Sequence, residues 1–169
     1  TPGCTVSFGG SMTLEDTGML TALRHDPGIT LLDRAQAKTP EETKKIYHDA
    51  LSSDFYFMST NAITKDGELV NIDGTGNRVA ALIYGPEHVI VMAGMNKVAA
   101  NVDEALSRVH GTATPMNCKR LGKNTPCSAT GVCSDCLSPD CICNQVVITR
   151  RSGIEGRIKV ILIGEELGY

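Results

Sequence analysis

Five short apolar runs punctuate this chain: "TVSF" (5–8), "ITLL" (29–32), "DFYFM" (54–58), "HVIVMAG" (88–94) and "RIKVILI" (157–163). Between most of them lie segments with helix-start and helix-stop signals. Strands alternating with helices favour crossover connections, so the pattern predicts a mostly parallel sheet covered on both faces. A helix is expected from near Thr13, with Asp16 as capping partner and Met19, Leu20 and Leu23 on its apolar face, ending at "HDPG". Thr39-Pro40-Glu41-Glu42 combines an N-cap Thr, a first-turn Pro and a Glu in the box position. "AITKDGELVNI" reads as a hairpin turning at Asp66-Gly67. A further helix follows "DGTGNR" and stops at Gly85-Pro86, and Asn101 caps another that reaches about His110. "QVVIT" (145–149) adds a strand before the last run. The expected fold is a three-layer α/β/α domain over residues 1–169, large enough to bury a core without disulfides.

Charge and composition narrow the partners. A net charge of −3 and only 4% aromatics, with no Trp, give no reason to expect nucleic acid. The best apolar runs, "VIVMAGM" and "VILIG", fall short of the ~18 residues of a membrane span. The chain starts at Thr1 rather than Met, which reads as a missing upstream segment.

In open α/β sheets, ligands bind beyond the carboxyl ends of the strands. The loops there supply Gly9, Gly10, Ser11 and Thr13; then Ser59, Thr60 and Asn61; then Asp73, Asn77 and Arg78; then Asn96 and Lys97. Gly-bearing helix starts with an Arg and a Lys suit a small anionic molecule, a carboxylate or phosphate. Taken singly, "GGS" is a tight turn and Asn77-Arg78 a capping pair. Their convergence at one sheet edge is what makes a pocket. Catalytic motifs are absent: no GxSxG, HExxH, Walker loop or strict GxGxxG. The four histidines fall at helix ends and a strand start, where capping explains them. Glu15 and Asp73 are the carboxylates placed to act as bases, and no catalytic residue is assigned.

Residues 124–144, "NTPCSATGVCSDCLSPDCICN", hold five of the seven cysteines. The 112–144 stretch shows little periodicity and reads as one long loop, which is usually functional or held by something. The odd cysteine total and the lack of any sign of an oxidising compartment argue against disulfides and for a cytoplasmic chain. Metal binding is the expectation. Only Cys133-x2-Cys136 is a clean zinc knuckle, whereas iron–sulfur clusters accept irregular spacing. Ser128, Gly131, Ser134 and Ser138-Pro139 allow backbone amides to face sulfides. A 4Fe–4S cluster is therefore preferred, with zinc as the alternative.

"SFGGSMTLEDTGM", "STNAITKDGELVNIDGTGNRVAALIYGPEHVIVMAGMNKV", "TPCSATGVCSDCLSPDCICN" and "GRIKVILIGEELGY" together resemble the lactate-utilization (LUD) domain proteins, most closely the short cysteine-containing branch. The resemblance implies a fold like the ribose-phosphate isomerase and CoA-transferase group. It also implies an iron–sulfur subunit associated with oxidation of lactate to pyruvate or related anaerobic electron transfer, alongside other iron–sulfur or flavin redox subunits. By the same resemblance the metal ligands are Cys127, Cys133, Cys136 and Cys143, in a metal-binding region spanning 118–144. Cys141 falls where a basic residue is common, and Cys4 and Cys118 lie outside the motif as buried thiols. Family members carry a helical segment ahead of the "GGS" strand, so the chain is expected to be truncated or processed.

"NAITKDGELVNIDGTGNRVAAL" also looks like a stretch of methylthioribose-phosphate isomerases and initiation-factor-2B-like proteins. There a catalytic Asp occupies the position of Asn61, and an amide cannot act as general acid or base. The alternative function is accordingly an isomerase or CoA-transferase type enzyme for an anionic substrate, with a purely structural metal.

Overall fold

The computed structural model describes residues 2–169. Its strands are β1 (Thr5–Phe8), β2 (Thr30–Leu32), β3 (Phe55–Met58), β4 (Ala62–Thr64), β5 (Leu69–Asp73), β6 (His88–Gly94), β7 (Val98–Ala99), β8 (Gln145–Thr149) and β9 (Ile158–Ile163). Its helices are α1 (Met12–Asp16), α2 (Met19–His25), α3 (Pro40–Ala50), α4 (Asn77–Ile83), α5 (Val102–Arg108), α6 (Thr114–Arg120) and α7 (Pro126–Thr130). The strands form two sheets. The larger runs β2-β1-β3-β6-β9 and every neighbouring pair in it is parallel. The smaller runs β7-β4-β5-β8 and is mixed, with the β4–β5 hairpin antiparallel.

Period-two alternation builds three layers around the parallel sheet. Tyr56 and Met58 of β3, with Val89 and Val91 of β6, pack against Ala50 of α3 and Ala81 and Leu82 of α4. Their alternate neighbours Phe55, Phe57, Ile90 and Met92 meet Leu14, Leu20 and Leu23 of α1 and α2. Ala62, Val70 and Ile72 of the smaller sheet are covered by Ala105 and Val109 and by Ala113 further along the same helical run. Arg157, at the head of β9, is buried and donates to the carbonyls of Ala81 (2.7 Å), Leu82 (2.7 Å) and Pro86 (3.0 Å). It thereby satisfies the carbonyls left open at the end of α4.

Several expectations need correction. The first helix is two: Ser11, not Thr13, caps α1 by accepting from the N–H of Leu14, and Gly18 breaks the run at φ 73°, which a residue with a Cβ rarely adopts. Asp16 accepts the N–H of Gly168 instead of capping. The three layers hold over the central strands, while at the edge strand β9 Val160, Ile161 and Leu162 are exposed, and α5 packs on the smaller sheet. The 112–144 stretch is also far from one loop. A π turn at Val109–Ala113 joins α5 to α6, and Thr125 caps α7, leaving 121–125 and 131–144 irregular. Gly111 and Pro115 look like breakers in the sequence. Pro115 nevertheless sits in the first turn of α6, just after the widened π turn, where a missing N–H costs least.

Candidate anion-binding site

The carboxyl ends of β1, β3, β5 and β6 feed the loops that surround a cavity of about 430 Å³. Of the residues expected there, Gly10, Ser11, Ser59, Thr60, Asn61, Asp73, Asn77, Arg78 and Lys97 line it. Thr13 and Asn96 do not. Thr13 is fully buried and donates to the Leu167 carbonyl at 3.1 Å. Asn96 uses its side chain on the carboxyl-terminal tail, accepting from Leu167 N–H and donating to the Gly168 carbonyl. Both therefore fasten the tail rather than face a ligand. Glu15 is outside the cavity, near Arg24 at 3.9 Å.

Arg78 is largely spoken for by the protein itself. Its Nε donates to Asp73 at 2.9 Å, and Nη2 donates to the Asn61 side-chain oxygen at 3.0 Å and the Ile72 carbonyl at 2.9 Å. Nη1 reaches the Ser59 carbonyl at 3.4 Å. Asp73 is equally committed, since its other oxygen accepts from the N–H groups of Thr75 and Gly76. Neither is a free base or a free cation. The pair instead ties β3, β5 and the start of α4 into one rigid wall.

The unbalanced charge comes from residues the sequence reading missed. Arg34, Arg120 and Lys123 line the cavity with Lys97 and Arg78, and Asp73 is the single acidic side chain facing these five. Arg34 follows β2, in a short 3-10 turn capped by Asp33, so the rule that located the other loops also locates it. It lies over Gly10, where any Cβ would collide with the guanidinium, and its Nη1 donates to the Tyr47 hydroxyl at 3.3 Å. Arg120 sits on α6, within the stretch that reads as loop, and donates to the Asn117 side chain and the Tyr169 hydroxyl. Lys97 is buried and donates to Ser59 Oγ (3.1 Å) and the Thr60 carbonyl (3.3 Å). Burial first, and then the Arg108 and Arg78 guanidiniums, pull its ammonium down to about 8, opposed only by Asp16.

The cysteine segment closes one side of this cavity. Cys141, Ile142 and Asn144 line it, Ile142 packs on Gly74, and Asn144 bonds both the Asp73 and the Gly74 carbonyls. The thiols themselves do not gather as the sequence spacing suggests. Cys127 Sγ lies 3.3 Å from Thr125 Oγ1, Cys133 Sγ lies 3.4 Å from His110 Nδ1, and Cys143 Sγ contacts Thr114 Oγ1. Cys118, on α6, is buried, and burial together with neighbouring Cys127 holds its thiol up at about 11. Cys4 is only half-buried. Burial pushes Cys143 up to about 12, with Cys141 adding to it. So two of the three cysteines set aside in the sequence, Cys118 and Cys141, are the ones that neighbour Cys127 and Cys143. Among the described residues no three His, Cys, Asp or Glu side chains converge as metal ligands. Thiolates are the soft donors that iron and zinc take, and Cys127, Cys133, Cys136 and Cys143 are the side chains that would supply them.

No helix among the described residues is long and apolar enough to cross a membrane. No curated protein matches the chain. Among solved structures it is similar to a protein of the DUF162 family from Deinococcus radiodurans, at 12% identity and a TM-score of 0.41, covering 96% of this chain and 88% of that one. It is also similar to eIF2B delta from Chaetomium thermophilum, at 20% identity and a TM-score of 0.36, covering 64% of this chain and 49% of that one. The profile of the LUD domain matches residues 1–163, nearly the whole length, and the chain belongs to the LUD domain family.

Proposed function

We propose that this chain serves lactate utilization by binding a small carboxylate of the lactate and pyruvate class in the cavity at the strand ends. The observation that carries this is the charge balance: even without Lys97, Arg34, Arg78, Arg120 and Lys123 face one acidic side chain, Asp73, which Arg78 already neutralises. A small anion satisfies the remainder through charge-assisted hydrogen bonds. Oxidation of lactate to pyruvate releases two electrons and two protons, which iron–sulfur or flavin redox subunits acting with this chain would accept. A 4Fe–4S centre on Cys127, Cys133, Cys136 and Cys143 belongs to the same reading, with zinc able to take the same thiolates. It rests on sequence spacing and family resemblance.

The alternative of a sugar-phosphate isomerase has less support, because Asp73 is locked by three donors and Asn61 supplies no acid or base. Titration calorimetry with lactate, pyruvate and inorganic phosphate tests the main reading. Saturable binding of lactate or pyruvate, weakened when Arg34 or Arg120 is replaced by Ala, is the expected result. Heats no different from those of a neutral alcohol would overturn it.

A further inference from the structure

Among the cations that line the cavity, Lys97 alone is buried, and no carboxylate meets its amine among the described residues. Its Nζ rests on two uncharged acceptors, Ser59 Oγ and the Thr60 carbonyl. An ammonium has three hydrogens and no lone pair, so two neutral acceptors leave it short of both a partner and a countercharge. A neutral amine has two hydrogens, which these acceptors satisfy, and a lone pair free to react in the cavity. The nearby guanidiniums of Arg78 and Arg108 favour that neutral form, and Asp16, the opposing charge, is engaged with Gly168. An apolar or cationic surrounding is how an amine is made nucleophilic.

We propose that Lys97 is an amine nucleophile that forms an imine with the carbonyl carbon of a small 2-oxo acid whose carboxylate is held by Arg34, Arg120 and Lys123. The inference rests on the anion-binding reading and deepens it, since the carbonyl places pyruvate-type acids ahead of hydroxy acids. The nitrogen lone pair forms the new N–C bond while the C=O π pair passes to oxygen. A proton from the nitrogen goes to that oxygen, and the second nitrogen proton leaves with the departing hydroxyl as water. Atoms and electrons balance without an oxidant or reductant. Ser59 Oγ, which donates onward to Thr13 Oγ1 at 3.3 Å, is the hydroxyl placed to carry the proton.

The test is trapping with sodium cyanoborohydride and pyruvate on the unaltered protein, read by intact mass and peptide mapping, with lactate binding measured in parallel. The expected result is a single reduced adduct on Lys97, suppressed by excess lactate and reduced to background in Lys97→Arg. Should that variant fail to fold, the mapping on the unaltered protein decides alone. Lactate and pyruvate binding without an adduct, or an adduct on Lys123 or another surface lysine, overturns the imine and leaves the anion site standing. Binding of neither acid, with no adduct, removes both.

Discussion

The side-chain oxygen of Asn61 accepts two hydrogen bonds at once, from Arg78 Nη2 and from the backbone N–H of Ile72, each at 3.0 Å. One amide thus joins the loop after β3 to β5 and to the first turn of α4. Asn61→Leu strands both donors, and unsatisfied buried groups cost about 1–3 kcal/mol each, so urea unfolding should show a loss of at least about 2 kcal/mol. Asn61→Asp keeps both contacts. It should unfold near the unaltered midpoint while binding lactate more weakly, because it adds a negative charge to the cavity wall.

Gly10 and Gly94 are both needed for space, but for different reasons. A Cβ on Gly10 meets only the mobile end of Arg34, whereas one on Gly94 lies 2.6 Å from Leu167 N and 2.7 Å from the Glu165 carbonyl. Gly10→Ala should therefore leave stability within about 0.5 kcal/mol of the original. It should weaken lactate binding about tenfold, as expected for one lost charge-assisted contact worth about 1.4 kcal/mol. Gly94→Ala meets two backbone atoms that cannot swing aside and should destabilise by about 1–3 kcal/mol in the same unfolding experiment.

Lys97 predicts a pH dependence with a definite sign. Its folded value is pulled from 10.5 to about 8, so the cost of burying the ammonium is complete below about 8 and lifts as pH rises towards 10.5. Burial sets most of this shift, with Arg108 and then Arg78 adding to it and Asp16 opposing. The thiols of Cys118 and Cys143, held up at about 11 and about 12, act in the opposite sense and lower stability above about 9. Comparing the protein with Lys97→Met cancels the thiols. The unaltered protein should gain on the variant between pH 8 and 10.5, and a constant gap would show that Lys97 is not depressed.

The thiols carry the remaining prediction. If four of them gather on metal, Cys133 must leave His110 and the 131–144 segment must close around the ion, since metal binding contributes directly to folding. Protein prepared anaerobically should then contain iron, or zinc after aerobic expression. Serine at Cys127, Cys133, Cys136 or Cys143 should remove the metal and expose the segment to protease, while serine at Cys4 or Cys118 should not. Trace iron and zinc together with a protease-resistant segment would count decisively against the centre.

What the sequence by itself determined is the set of local choices with local causes. Thr39 accepts from Glu42 N–H and Asn101 from Glu104 N–H, as their capping patterns require, and Asp66-Gly67 turns the β4–β5 hairpin. The strand-end loops carrying Gly10, Asn61 and Lys97 were legible because parallel strands bring their carboxyl ends to one edge, whereas Asp73 and Arg78 reach the cavity from β5 of the smaller mixed sheet and the helix that follows it. Tertiary structure decided everything that depends on which distant groups meet. It joined Arg78 to Asn61, Arg108 to the Asn61 carbonyl 47 residues away, and turned Thr13 and Asn96 to the tail around Leu167 and Gly168. It also set Arg34 and Arg120 in the cavity from segments distant in sequence, and joined α5 to α6 across Gly111 and Pro115. Hydrogen-bond partners tens of residues apart leave no periodic trace in a sequence. A π turn that lets a helix run up to a proline leaves none either, so only the packed fold shows which charges remain free for a ligand.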